Sequence, residues 1–407
     1  MVLENPKTEQ IDHLALGVQF KKEGKFKEAI AEYRQAIKIN PALHQAYIDL
    51  AYLLRIDGDL EEAATCYLKA IELKPNHWQA YARLRQGSWE KNQTKQIISG
   101  LKQTVINHPD IIWSYMCLGH FLTLEGNLDE AVNFLQNGSN KNAANSNSNF
   151  IKTDICQSQK NPDFLIIGTA KSGTSSLYQY MIQHPQILPA LTKEIGFFDF
   201  PRMYNNGIDW YLSYFPQIPE AKNILTGEAT PSYFNRADVP ERVYKYLPHV
   251  KLIVILRNPV ERTISAYHHS VKDNGELRSL AEVIDTEMEM IQGMSDPSEI
   301  MKTNFKFEPR YLVWSLYYYF LKNWMQVFPK EQFLILNSNN FYSNSALVMA
   351  QVFEFLDLPK HELPDYHQYT KGSYAPIDRK LQAKLSNFFN PHNQKLEDYL
   401  GIKMNWN

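Results

Sequence analysis

Pro162-Asp163-Phe164-Leu165-Ile166-Ile167-Gly168-Thr169-Ala170-Lys171-Ser172-Gly173-Thr174-Ser175-Ser176-Leu177 carries an apolar run into a small-residue loop with one lysine, and then into a helical pattern. Such a strand, loop and helix aims backbone N–H groups, a helix N-terminus and hydroxyls at one anion, and Lys171 adds a point charge. The order of residues differs from the nucleoside-triphosphate loop G-x-x-x-x-G-K-[ST], because the lysine here precedes the second glycine in G-x-x-K-S-G-T-S. A phosphate-type anion is therefore expected on residues 171–175. A nucleotide-dependent kinase, which needs a magnesium-binding hydroxyl and an acid in Walker order, is the alternative that this spacing disfavours.

A second stretch of the same kind lies downstream: Lys251-Leu252-Ile253-Val254-Ile255-Leu256-Arg257-Asn258-Pro259-Val260-Glu261-Arg262-Thr263-Ile264-Ser265-Ala266-Tyr267. Pro259 suits the first turn of a helix. Arg257 falls where the strand ends, and Ser265 lies close enough along the chain for both to grip one phosphate. Short apolar runs at Phe164 to Ile167, Leu252 to Leu256 and Phe333 to Leu336 alternate with longer helical patterns, which predicts a parallel sheet covered on both faces. Asn344 to Leu356 has the spacing of a core helix. Open sheets of this class bind ligands at the carboxyl ends of their strands, where both loops would sit.

On these residues the chain from about 162 to 403 resembles the sulfotransferases that use 3′-phosphoadenosine 5′-phosphosulfate (PAPS), in particular the heparan sulfate branch and its bacterial relatives. The family pattern K-x-G-T-[ST] is matched by Lys171, Gly173, Thr174 and Ser175, with Ser172 between them. The resemblance implies that this loop holds the 5′-phosphosulfate. The pattern R-x-P-x-x-R-x-x-S is matched by Arg257, Pro259, Arg262 and Ser265, of which Arg257 and Ser265 are implied to hold the 3′-phosphate. Lys371-Gly372-Ser373 resembles the late nucleotide-binding loop. Two stretches extend the match on the acceptor side, Lys193-Glu194-Ile195-Gly196-Phe197-Phe198-Asp199 and Gly227-Glu228-Ala229-Thr230-Pro231-Ser232-Tyr233-Phe234.

The same resemblance implies that Lys171 meets the charge developing on the bridging oxygen of the leaving phosphate and that Glu194 takes the acceptor proton. His268 and His269 are the competing bases, because other sulfotransferase branches use histidine. Asp199 matches the branch and is expected to order Lys171 or the acceptor pocket. Gly196 and Ala229 depart from it, standing where the glycan branch tends to have histidine and lysine, so the acceptor stays open between a saccharide and another alcohol, carrier-bound or lipid-like. No metal is implied, and neither the scattered histidines nor the three isolated cysteines have zinc spacing.

The first third of the chain is organised by repetition. Pro41, Pro75 and Pro109 are spaced by 34 residues, the period of tetratricopeptide (TPR) repeats. Leu16, Leu50, Leu84 and Leu118 share one repeat position, Gly24, Gly58 and Gly126 another, Ala29, Ala63 and Ala131 a third, and Tyr33 and Tyr67 a fourth. The third repeat is degenerate, with Arg85, Asn92 and Ile97 where small residues are expected. The expected fold is an α-helical TPR solenoid over 8–139, a polar linker over 140–160, and an α/β domain over 161–407 with a parallel sheet and a P-loop-like phosphosulfate loop. Solenoids of this kind present a surface to a protein or peptide partner.

Composition sets the remaining expectations. With 407 residues, 44% of them hydrophobic, the chain can build two cores, and a formal net charge of −2 argues against general binding to nucleic acid or membrane surfaces. Met1 to Gln19 has neither a basic start nor a continuous apolar segment, and Tyr311 to Leu321, the longest apolar-aromatic run, is too short to span a bilayer and reads as a buried helix. Cys66, Cys117 and Cys156 do not form a disulfide framework, so a cytoplasmic enzyme is expected. The rival from another class is a TPR scaffold carrying an inactive sulfotransferase fold; the presence of Lys171, Glu194, Arg257 and Ser265 counts against it.

Overall fold

The computed structural model describes residues 6–146, 157–219, 223–273, 275–294, 299, 310–367 and 377–406. The chain divides into two compact units, Met1–Asn145 and Ser146–Asn407.

The first unit is a stack of antiparallel helices: α1 (Pro6–Lys22), α2 (Phe26–Ile39), α3 (His44–Asp57), α4 (Leu60–Leu73), α5 (Trp78–Arg85), α6 (Lys91–Asn107), α7 (Ile112–Leu124) and α8 (Leu128–Ser146). The repeat positions have clear physical jobs. Gly24, Gly58 and Gly126 take left-handed backbone at the turn between paired helices, a conformation that side chains resist. Ala29, Ala63 and Ala131 are completely buried, as are Tyr33 and Tyr67, so small residues admit a neighbouring helix while the tyrosines fill the space between. In the degenerate third repeat α5 has only eight residues, and the Trp89 indole caps its end by donating to the Leu84 carbonyl at 2.8 Å.

The sequence sets the start of a linker at residue 140, within a stretch that is helical in the structure. Residues 140–146 continue α8, whose Ala143 is completely buried, so a packed alanine holds helix through a run of asparagines that would not form one alone. Among the described residues, no helix is long and apolar enough to cross a membrane.

The second unit is built on β1 (Gln157–Ser158), β2 (Phe164–Gly168), β3 (Ile187–Pro189), β4 (Ile218–Pro219), β5 (Leu225–Ala229), β6 (Lys251–Leu256) and β7 (Phe333–Asn337). β1 and β4 form a short antiparallel pair; the other five make a parallel sheet in the order β3-β5-β2-β6-β7. All five residues of β2 are buried, which accounts for its uninterrupted apolar run. Phe164, Ile166, Ile253 and Ile255 share one core with Leu177 and Met181 of α9 (Thr174–Met181) and with Met349 and Phe353 of the helix Ser345–Phe355. Tyr311 to Leu321 is mostly buried but is not one helix: a 3-10 turn at Val313–Ser315 comes first, and only from Tyr317 does the run enter the helix Tyr317–Val327.

Strand order decides where a ligand can bind. From β2 the chain first runs outward through β3 and β5, then returns to the other side of β2 for β6 and β7, so the sheet's switch point lies at the carboxyl ends of β2 and β6. A cavity of about 580 Å3 at the opposite ends of these strands, lined by Lys160, Asp163, His249 and Lys251 among others, contains none of the candidate site residues.

Candidate active site

The loop after β2 is fastened through its carbonyl groups. The Arg262 Nε donates to the Ala170 carbonyl at 3.2 Å, the Arg257 Nη1 to the Lys171 carbonyl at 3.3 Å, and the Ser338 hydroxyl to the Ser172 carbonyl at 2.7 Å. Inside the loop, the Thr169 and Ser172 hydroxyls are 2.6 Å apart and the Thr169 N–H donates to the Ile255 carbonyl of β6. With its carbonyls turned onto these partners, the loop leads into α9, whose first N–H groups have no intrahelical acceptors. Gly173 caps that helix with φ 114° and no side-chain hydrogen bond. Lys171 also has left-handed backbone, at φ 72°, an arrangement that surrounding structure must enforce on a residue with a side chain. An uncapped helix start behind a constrained lysine suits an anion.

Arg257 and Lys171 are thus brought together, as their positions after β6 and β2 imply. Arg257 is also paired with Glu261 through Nε at 3.0 Å, and the Tyr317 hydroxyl donates to its carbonyl at 2.9 Å. Ser265 is buried within the helix Pro259–Asp273, together with Arg262. Lys371, Gly372 and Ser373 lie outside the described residues. His268 and His269 belong to the same helix as Ser265, the first half-buried and the second exposed.

Arg262 matched the motif, yet its role was not legible. It is 1% exposed, and besides holding Ala170 it donates from Nη1 to the Tyr311 carbonyl at 2.9 Å and the Ser315 hydroxyl at 3.1 Å. Its guanidinium lies 5.9 Å from the Trp314 ring, and burial draws it below its ordinary pKa. A buried cation therefore couples the second motif to the first. Ser338, the other tether missed, comes from the helix after β7 and has no distinguishing neighbours in sequence.

Glu194 occupies an exposed position in the loop after β3 and pairs with the adjacent Lys193. That loop is sewn to the carboxyl end of β5. The Ala229 N–H donates to the Lys193 carbonyl at 3.1 Å, Ile195 N–H to Glu228 Oε2 at 3.3 Å, Gly196 N–H to the Thr230 hydroxyl at 3.3 Å, and Phe197 N–H to the Tyr233 hydroxyl at 3.0 Å. Glu228 is the centre of this arrangement, completely buried and accepting also from Tyr233 at 2.8 Å, Tyr211 at 3.2 Å and Thr230. Burial pushes its carboxyl up to about 7. Asp199 is likewise buried and pushed up to about 6; Ser232 donates to its Oδ2, while its Oδ1 has no hydrogen-bond partner. Among the described residues, no group of three or more His, Cys, Asp or Glu could hold a metal ion.

Residues 161–376 match the profile described as "Sulfotransferase domain". The chain belongs to the sulfotransferase family. TPR profiles match residues 17–55 and 44–77. Among curated proteins, this sulfotransferase is 30% identical over 272 residues to human heparan sulfate glucosamine 3-O-sulfotransferase 5, covering 61% of this chain and 75% of the relative. It is 31% identical to human bifunctional heparan sulfate N-deacetylase/N-sulfotransferase 3, covering 59% of this chain but 30% of that one. A third relative, membrane-associated sulfotransferase kil1 of Dictyostelium discoideum, is 28% identical over 60% of this chain and 66% of its own length. A sulfotransferase crystal structure from Alicyclobacillus acidocaldarius aligns with 28% identity and a TM-score of 0.49, covering 61% of this chain and 99% of that one.

Proposed function

We propose that the enzyme transfers the sulfuryl group of PAPS to a hydroxyl or amine of a saccharide or of another alcohol. The observation that carries this reading is the Arg257 to Lys171 contact, which makes one site of the loops after β6 and β2. In it, residues 171–175 hold the 5′-phosphosulfate, Arg257 and Ser265 the 3′-phosphate, and Lys371, Gly372 and Ser373 contribute to nucleotide binding. The acceptor oxygen or nitrogen attacks sulfur, the bond from sulfur to the bridging oxygen breaks, and the acceptor proton passes to Glu194. Lys171 meets the negative charge left on the departing 3′-phosphoadenosine 5′-phosphate.

A saccharide acceptor is supported by the relatives named for heparan sulfate; Gly196 and Ala229 argue for an acceptor pocket of different lining. The repeats, over 8–139, are read as a partner-binding unit joined by a linker to a catalytic domain at 161–407. Buried free thiols at Cys66 and Cys117 fit a cytoplasmic setting. Calorimetry with 3′-phosphoadenosine 5′-phosphate and ATP tests the donor: preference for the 3′-phosphate is expected, and equal affinities, or loss of binding on adding a chelator, would refute it. Labelled PAPS supplied with pools of candidate acceptors then identifies what becomes sulfated.

A further inference from the structure

Residues 404–406 follow the helix Arg379–Leu400 and are bound at the carboxyl ends of β7 and β6, beside the residues that tether the phosphate loop. Glu397 of that helix starts the path, accepting from the Met404 N–H at 2.8 Å and pairing with Lys403 at 2.7 Å. Met404 is buried, and its carbonyl accepts from the side-chain amide of Asn337, the last residue of β7, at 2.7 Å. Asn405 takes left-handed backbone at φ 52°, which asparagine tolerates better than most residues. Beyond that turn the Trp406 carbonyl accepts from the Asn258 side-chain amide at 2.9 Å. The oxygen of the same Asn258 side chain accepts from the Val260 N–H at 2.9 Å, so its orientation is set from both ends.

Trp406 also reaches the end of β6 by a second route. Its ring packs against that of the buried Tyr317, with centres 5.8 Å apart, and the Tyr317 hydroxyl donates to the Arg257 carbonyl at 2.9 Å. Both routes converge on the peptide that joins Arg257 to Asn258. A tilt of that peptide is magnified along the arginine side chain, and paired N–H recognition of a phosphate tolerates little tilt. The Trp406 Nε1 is buried without a hydrogen-bond partner among the described residues, so the indole acts here through its packed ring. We infer that Trp406 is a positioning residue for 3′-phosphate recognition: through Asn258 and Tyr317 it fixes the backbone at Arg257, and with it the angle at which the guanidinium meets the phosphate. This rests on the reading of Arg257 as a ligand of the 3′-phosphate.

The test is calorimetry on the full chain with 3′-phosphoadenosine 5′-phosphate and with adenosine 5′-phosphate, which lacks the 3′-phosphate. The ratio of the two affinities isolates what the 3′-phosphate contributes. Trp406→Ala should lower that ratio at least about tenfold, because a support removed at a distance misplaces the group it holds. Trp406→Phe keeps an aromatic ring for Tyr317 and loses an N–H that has no partner, so it should keep nearly the wild-type ratio. Should the alanine variant fail to fold, Trp406→Leu gives a smaller loss in the same direction. A wild-type ratio in the alanine or leucine variant would overturn the inference, and so would equal weakening of both nucleotides, which is what a purely structural brace produces. Arg257→Gln is the reference. If it leaves the ratio unchanged, the reading of Arg257 fails; if it collapses the ratio while the Trp406 variants do not, only the positioning role fails.

Discussion

Glu228→Gln should change how stability depends on pH while leaving the acceptor-side loop in place. The wild-type carboxyl moves from 4.5 in the unfolded chain to about 7 in the folded one, because burial disfavours its charged form more than its four donors favour it. Below pH 4.5 both states hold the proton. Between 4.5 and about 7 the folded state still holds it and the unfolded state does not, so stability falls as pH rises. At about 1.4 kcal/mol for each tenfold difference in proton affinity, the loss is roughly 3 kcal/mol, complete above pH 7. Glutamine keeps an oxygen for the Ile195 N–H and Thr230, and its amide can donate to Tyr211 and Tyr233, whose hydroxyls turn to accept. Urea unfolding from pH 5 to 8 measures the effect, following the transition that 3′-phosphoadenosine 5′-phosphate displaces, since ligand linkage marks the catalytic unit. Relative to wild type, the variant should gain about 3 kcal/mol across that range. Parallel curves would show that Glu228 folds as a charged group and would refute the reasoning.

Arg262→Met leaves the Ala170 and Tyr311 carbonyls without their donor, and should destabilise the catalytic unit by about 3 kcal/mol and weaken nucleotide binding at least about tenfold; denaturation and calorimetry read the two separately. Gly173→Ala should weaken nucleotide binding by a similar factor, since its Cβ would lie 2.8 Å from the Tyr342 hydroxyl on left-handed backbone; unchanged calorimetric affinity would count against the loop's role. In single-turnover assays Lys171→Ala should lower the rate by about 10²-fold or more, while Glu194→Gln should lower it comparably with nucleotide affinity nearly unchanged. A wild-type rate for Glu194→Gln would move the base to His268 or His269.

The repeats and the strands β2, β6 and β7 were legible because each rests on a dense local signal: a 34-residue period in one case, and uninterrupted apolar runs in the other. β3 and β5 were not read as strands. Ile187–Pro189 is short and ends in proline, and Leu225-Thr226-Gly227-Glu228-Ala229 mixes polar residues into a strand that the fold buries completely. Glu228 stands in a quoted motif, but only its contacts across β5 and the Glu194 loop reveal what it holds. Arg262 is similar: its place in the pattern is plain from sequence, whereas its reach to the Ala170 carbonyl depends on β6 lying beside β2.

The three carbonyl tethers on residues 170–172 also bear on the catalytic cycle. A loop held from Arg257, Arg262 and Ser338 has surrendered its conformational freedom during folding, so little ordering entropy remains to be lost when a nucleotide arrives. On the proposed reading, the donor and the spent nucleotide present phosphates to the same rigid cradle. Preorganisation therefore tightens both, and the step it slows is departure of the spent nucleotide, which sets the turnover ceiling once chemistry is fast.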